Sequence, residues 1–308
     1  FIIFDSYTSN NSLERFWSFP NQEIKSFLDS HNFVTFDDAR SNYNYTTLSI
    51  SSILNMNYFD SMRVNNNTEA TVAASLMHLK NNYTTALFES VGYKVFNITP
   101  FDIGDQEKLY NTRFFKSEPG NILTHFINQT ALGVIFNRAK MRQMYEFNLQ
   151  ALDRLQNAIK DSSASKFVYA HIMMPHDPFF FDKDGNIIPD SERKGSNSKR
   201  NKNNYLGQLL YSNKKIKEIV NSIFMQKDKD PIVIIQGDHG YRFLDRSIGG
   251  KEESHSTLFA IHLPLGKKVE NAANITGVNL FRYILNNYYG FEFPMLEHRE
   301  FFVPIVED

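Results

Sequence analysis

Short runs of Ile, Val and Phe alternate along this chain with longer segments whose apolar residues recur every three or four positions. The short runs predict buried strands: FIIF at 1–4, FVTF at 33–36, YKVFNI at 93–98, KFVYAHIMM at 166–174, PIVIIQ at 231–236 and STLFAIHL at 256–263. The longer segments predict helices. Residues 21–31 space Ile24, Phe27 and Leu28 on one face behind Asn21 as a plausible cap. Helical spacing recurs at 46–56, 69–82, 141–160, 204–224 and 277–289. Strands separated by helices argue for an α/β fold, with a mostly parallel central sheet and helices on both faces. We read 1–308 as one catalytic-size domain, with no internal repeat. The stretch 182–203 breaks the pattern. It is polar, with Arg193, Lys194, Lys199, Arg200 and Lys202 close together. Its 190–203 part reads as a mobile, solvated loop with little to bury, and a lid or anion contact is the other reading.

In a parallel sheet every strand opens its C-terminal end on the same side, so groups far apart in sequence can converge there. Four such places carry polar chemistry. Asp5 follows FIIF. Thr46 opens a helix after SNYNY. His176 and Asp177 lie in the PHDPF turn after strand 166–174. Asp238 and His239 follow PIVIIQ, with Gly237 and Gly240 on either side. Two carboxylates and an imidazole suit a divalent ion such as Zn or Mn. A hydroxyl at a helix N-terminus sits where the dipole and free N–H groups favour negative charge. Each group also has an ordinary structural use. Asp5 could cap a turn, Thr46 could cap its helix, and His176 could be a loop histidine held between prolines. His171, in an apolar strand, reads equally well as a core histidine, and His255 is a weaker candidate.

Composition narrows the partners. The net charge is −1, so no nucleic acid or other polyanion is implied. With no cysteine, disulfides and thiolate metal sites are excluded. No apolar run is long enough to span a membrane. A strand already under way at Phe1 suggests a fragment whose missing N-terminal segment carries a signal or a membrane anchor. Asn-x-Ser/Thr triplets start at Asn10, Asn44, Asn66, Asn82, Asn97, Asn128 and Asn274. The Asn-rich composition accounts for them, and Asn44, two residues before Thr46, is a poor place for a glycan.

These motifs, taken in order, resemble the alkaline phosphatase superfamily, in particular its membrane-anchored sulfatase-like branch of lipoteichoic acid synthases and phosphoethanolamine transferases. The resemblance rests on FIIFDSY at 1–7, SNYNYTTLSISSILNM at 41–56, HIMMPHDPFFFDKDG at 171–185, QLLYSNKKI at 208–216 and IIQGDHG at 234–240. It implies that Asp5, Thr46, Asp238 and His239 bind one divalent metal, Zn or Mn. Thr46 would be the nucleophile, with Thr47 its nearest competitor. His176 would contact the transferred phosphate or assist a second metal, and His171 and His255 would be weaker substrate or metal contacts. The implied activity is a metal-dependent phosphotransferase or phosphodiesterase working through phosphothreonine. Its substrate would be a lipid- or glycan-linked phosphodiester at the extracytoplasmic face of a cell envelope. A phosphatase or sulfatase-type hydrolase, and a metal-binding module without turnover, are the alternatives. A formylglycine sulfatase is disfavoured, because TTLSI lacks the Cys/Ser-x-Pro-x-Arg motif.

Overall fold

A computed structural model gives the architecture. The structure describes residues 1–59, 68–106, 108–109, 131–163, 165–193, 198–226, 230–242, 250–264, 275 and 277–304. Six strands, β1 (Ile2–Phe4), β2 (Phe33–Thr35), β3 (Lys94–Ile98), β4 (Lys166–Ile172), β5 (Val233–Gln236) and β6 (Phe259–His262), form one sheet in the order β2-β6-β5-β1-β4-β3. β1 pairs in parallel with β4 and β5, and β3 in parallel with β4. β6 runs antiparallel to both β5 and β2. One strand of six is therefore reversed. The β-strand runs were legible, but the direction of β6 was not, because apolar runs carry no sign of direction.

The pleat divides the core. Ile2, Phe4, Ala170, Ile172, Val233 and Ile235 face one apolar cluster, and Phe1, Ile3, Phe167, Tyr169 and Ile234 face the other. Alternate side chains of a strand point to opposite faces, so a sheet buried on both sides reads as a continuous apolar run. Helices α1 (Asn10–Trp17) and α2 (Gln22–Ser30) cover the first face with the long helices α6 (Ala131–Lys160) and α7 (Ser198–Phe224). Helices α3 (Thr46–Asn55), α5 (Tyr83–Ser90) and α8 (Leu280–Tyr289) cover the second. Helix α4 (Thr68–Lys80) packs on α3.

The basic segment departs from expectation. Residues 194–197 lie outside the described residues, but a helical turn spans Asp190–Arg193 and α7 already begins at Ser198. Arg193 stands over the Phe180 ring, and Lys202 stands over Trp17 and donates to the Phe16 carbonyl. The long aliphatic stems of such side chains cover apolar surface while their charge stays near water. A high local charge thus concealed the first turns of a helix.

Candidate active site

The C-terminal ends of β1, β4 and β5 lie side by side, and the reversed β6 enters from the same edge. The β1 ladder extends one residue further, with the Asp5 N–H donating to the Ile172 carbonyl at 2.9 Å. Ser6 then takes a left-handed conformation, φ 60°, and its N–H donates to Asp238 Oδ1 at 3.0 Å. The two carboxylate-bearing turns are thereby tied together. The glycines flanking Asp238 and His239 are required by close approach. A Cβ at Gly237 would collide with Thr257 Oγ1 and the Tyr7 carbonyl, and one at Gly240 with the carbonyls of Glu253 and Ser256. The Gly237–Gly240 turn is thus pressed against the β6 approach and the Tyr7 carbonyl, which only residues without a side chain permit there.

Helix α3 brings the hydroxyl. Its N-cap is Tyr45, whose side chain makes no capping bond, and Thr46 is the first helical residue. The cap reading of Thr46 therefore does not describe its position. Its Oγ1 lies 3.3 Å from His239 Nε2. One turn on, Ser49 Oγ donates to the Asp238 carbonyl at 2.6 Å and locks the helix to the β5 turn. Thr47, the competing hydroxyl, points away to Ser75 Oγ at 2.5 Å.

His239 is the hub. Its Nδ1 lies 2.8 Å from the Gly240 carbonyl, an acceptor, so Nδ1 carries the proton and Nε2 keeps its lone pair. Around Nε2 stand Thr46 Oγ1 at 3.3 Å, Asp238 Oδ2 at 3.4 Å and Asp5 Oδ1 at 3.6 Å. Both of those carboxylate oxygens are buried and have no hydrogen-bond partner among the described residues. A buried carboxylate oxygen left without a partner is costly. Four ligands on a tetrahedral ion at about 2.0–2.2 Å would stand about 3.3–3.6 Å apart, and the three distances from His239 Nε2 fall in that range, while Asp5 also groups with His176 and His239 and, separately, with His171 and Asp238. The donor set, two carboxylates, a hydroxyl and a neutral imidazole, therefore fits a divalent cation.

Protonation agrees with that fit. Burial lowers the His239 pKa to about 4, keeping the ring neutral near pH 7. Burial alone would raise Asp5, but His176, His171 and His239 outweigh it and hold the carboxylate ionised. For His176, burial opposes the charge, yet the Asp5 and Asp177 carboxylates prevail and raise its pKa.

The remaining histidines separate. His171 is fully buried between Tyr169 Oη, 3.2 Å from Nδ1, and Asp5 Oδ2, 3.1 Å from Nε2. It lies within reach of both carboxylates, but its Nε2 is already engaged with Asp5, the place of a residue that orients a ligand. His176 lies across the cluster, within 4.8 Å of Asp5 and His239 ligand atoms. His255 bonds the Ser41 carbonyl at 3.0 Å and belongs to no candidate metal group among the described residues.

Arg242 escaped the motif-based reading. Its Nη2 lies 2.7 Å from His176 Nε2, and its guanidinium is 6.0 Å from the Tyr45 ring centroid. That bond needs His176 Nε2 unprotonated, so proton uptake at His176 and the Arg242 contact exclude one another. Following the GDHG turn two residues past Gly240 would have found it. The result is a buried metal-type cluster beside a cationic rim, with a helix N-terminus pointing in. Such a site suits an anionic ester.

A family model described as sulfatase matches residues 1–286. No curated protein sequence matches. Among solved structures, the C-terminal periplasmic domain of EptC from Escherichia coli, in complex with Zn, aligns at 13% identity and TM-score 0.52. That match covers 86% of this chain and 72% of that one. The C-terminal periplasmic domain of phosphoethanolamine transferase EptC from Campylobacter jejuni aligns at 14% identity and TM-score 0.53, covering 94% and 87%. A candidate sulfatase from Bacteroides thetaiotaomicron aligns at 15% identity and TM-score 0.54, covering 95% and 70%. At these identities the likeness is one of fold.

Proposed function

The chain belongs to the sulfatase family, whose members are enzymes acting on sulfate or phosphate esters, and from that membership we propose a metal-dependent phosphotransferase or phosphodiesterase with Thr46 as nucleophile. One observation carries the proposal. The Thr46 hydroxyl opens a helix and lies within 3.6 Å of His239 Nε2, as do two buried carboxylate oxygens that have no hydrogen-bond partner among the described residues. Asp5, Thr46, Asp238 and His239 would hold one divalent ion. A bound ion would lower the hydroxyl pKa and neutralise charge on the transferred group. Zinc suits the tetrahedral oxygen and nitrogen set best, with manganese the alternative.

The residues divide the work. Thr46 Oγ1, its proton lost to solvent, attacks phosphorus, the Oγ–P bond forms as the P–O bond to the leaving group breaks, and the leaving oxygen takes up a proton and departs as the alcohol. Water or an acceptor hydroxyl then attacks the phosphothreonine and frees the enzyme. The N-terminus of α3 and the Arg242 guanidinium would favour the anionic group. His176 accepts from Arg242 at Nε2 in this arrangement, so it would take up a proton, and pass it to the leaving oxygen, only where Arg242 turns from it to the anionic group. His171 orients Asp5 through its other oxygen.

The substrate we propose is a lipid- or glycan-linked phosphodiester at the outer face of a cell-envelope membrane. The support is the fold shared with periplasmic domains of a phosphoethanolamine transferase. Among the described residues no helix is long and apolar enough to cross a membrane. Hydrolysis of a phosphate or sulfate monoester is the second reading, favoured by the family model itself.

Thr46→Ala tests the assignment. It should leave the fold and most metal binding intact while reducing turnover of aryl phosphodiesters, monoesters or sulfates by several orders of magnitude. Wild-type enzyme quenched during turnover should carry phosphate on the peptide containing Thr46. If Thr46→Ala keeps activity within about tenfold of wild type, the nucleophile is a different group.

A further inference from the structure

Residues 291–303 follow α8 without regular secondary structure, yet the chain there is held by a repeated device. Three asparagine side chains each grip one residue at two points, accepting from its N–H and donating to its C=O. Asn286 grips Phe293, with bonds of 2.7 and 2.8 Å. Asn279 grips Leu296, at 2.9 and 2.8 Å. Asn44 grips Val303, at 2.7 and 3.1 Å. A side-chain amide used this way replaces a neighbouring strand, so the segment gains ladder-like bonds without joining the sheet.

The last clamp comes from the loop that carries Thr46, and others join it. The Phe301 N–H donates to the Asn42 carbonyl at 2.8 Å, and Asn42 Nδ2 donates to the Arg299 carbonyl at 2.8 Å. The Tyr43 and Phe301 rings stack with centroids 5.1 Å apart. Arg40 bridges both carboxylate oxygens of Glu300. From the other side, the Ser41 N–H donates to the His255 carbonyl at 2.8 Å. Loop 40–45 is thus held between the 255–256 turn and the C-terminal segment. The Thr46 side chain has no capping role to fix it, so its aim is set by where this loop ends, together with the Ser49 bond that holds the helix one turn further on.

We propose that segment 297–303 is a positioning element for Thr46 and that Asn44 is its principal positioning residue, an inference that rests on reading Thr46 as the nucleophile. The arrangement has a direct chemical consequence. Asn44 is buried and its Nδ2 is engaged with Val303, so the Asn44-Tyr45-Thr46 triplet accepts no glycan in the folded protein.

The test compares like clamps in different places. Asn44→Ala and Asn286→Ala each remove two bonds of the same kind, but the ring contacts of Phe293, gripped by Asn286, are with Phe291, Tyr83 and Arg282, and Arg282 bonds the Met56 carbonyl at the end of α3 opposite Thr46. Both variants should lose comparable thermal stability. Asn44→Ala should lower kcat about ten- to a hundredfold with little change in KM or bound metal, as a small misplacement of a reacting group does. Asn286→Ala should keep kcat within about twofold of wild type. If Asn44→Ala does not fold, Asn44→Asp keeps the acceptor for Val303 and loses the donor, and its kcat should fall too. A kcat unchanged at Asn44, or equally reduced at Asn286, overturns the proposal. Thr46→Ala measured alongside tells the failures apart. An active Thr46→Ala removes the nucleophile and this inference with it, whereas an inactive Thr46→Ala beside an undisturbed Asn44 variant removes this inference alone.

Discussion

At the scale of single residues, the site depends on which atom of each group is already committed. Asp5 offers Oδ2 to His171 and leaves Oδ1 open, while Asp238 offers Oδ1 to the Ser6 N–H and leaves Oδ2 open. His239 spends Nδ1 on a carbonyl and leaves Nε2 open. Asp5, Asp238 and His239 therefore each have one anchored atom and one left open, which would fix their orientation toward the proposed ion. His171 anchors Asp5, so its loss should be felt in metal affinity first. His171→Phe keeps an aromatic ring beside Phe101 and Tyr169 but removes the donor to Asp5 Oδ2. Metal affinity, measured by competition with a fluorescent chelator, should fall about 10- to 100-fold with the fold retained by circular dichroism. An unchanged affinity would assign His171 to packing alone. The sequence showed the residue types of this cluster because strand ends mark where ligands gather. It did not show their committed atoms. Ser6, Ser49 and Arg242 matter through bonds to partners some 70 to 230 residues away by numbering, and no local pattern encodes those partners.

At the scale of elements, the strands and most helices were legible from their patterns, but α1, α5, the start of α7 and the segment 291–303 were not. The start of α7 was hidden under lysines and arginines whose stems pack on Trp17 and Phe180. Segment 291–303 has no period at all, since its order comes from asparagines elsewhere in the chain. The Arg40–Glu300 pair ties that segment to the Thr46 loop, and it gives the attachment a pH dependence. Burial would raise the Glu300 pKa, but the bonds from Arg40 and His298 prevail and lower it to about 2. A depressed carboxylate stabilises the folded form fully above its ordinary value of about 4.3, and that contribution is lost as pH falls toward 2. The pair is partly exposed, so solvent screening limits it to on the order of 1 kcal/mol. Thermal unfolding of wild type and Glu300→Gln should therefore differ at pH 6, with the gap shrinking by pH 3. A gap that is constant over this range would show that the pair acts through packing and not through charge.

At the scale of the whole molecule, the sheet joins buried negative charge from distant parts of one chain. Asp5 ends β1 and Asp238 follows β5, and adjacent parallel strands force the two carboxylates to one edge. Without a cation the fold carries two buried acids whose inward oxygens have no partner, so some of its stability waits on the ion. Adding Zn or Mn to chelator-stripped protein should raise Tm. At a concentration about a thousandfold over Kd the gain is about 4 kcal/mol, or roughly 8 °C for a chain of this size. Acid should act in the opposite direction on the stripped protein. Burial lowers the His239 pKa to about 4, whereas the same ring in the unfolded chain takes up a proton below about 6.5. The unfolded state then binds more protons, so stability is full above about 6.5 and declines as pH falls toward 4. The double variant Asp5→Asn/Asp238→Asn provides the control, because it removes both charges and keeps the shapes. It should not respond to either metal. If wild type shows no shift with Zn or Mn, or the double variant shows the same shift, then the ion does not bind at this cluster and the carboxylates are held by the protein alone.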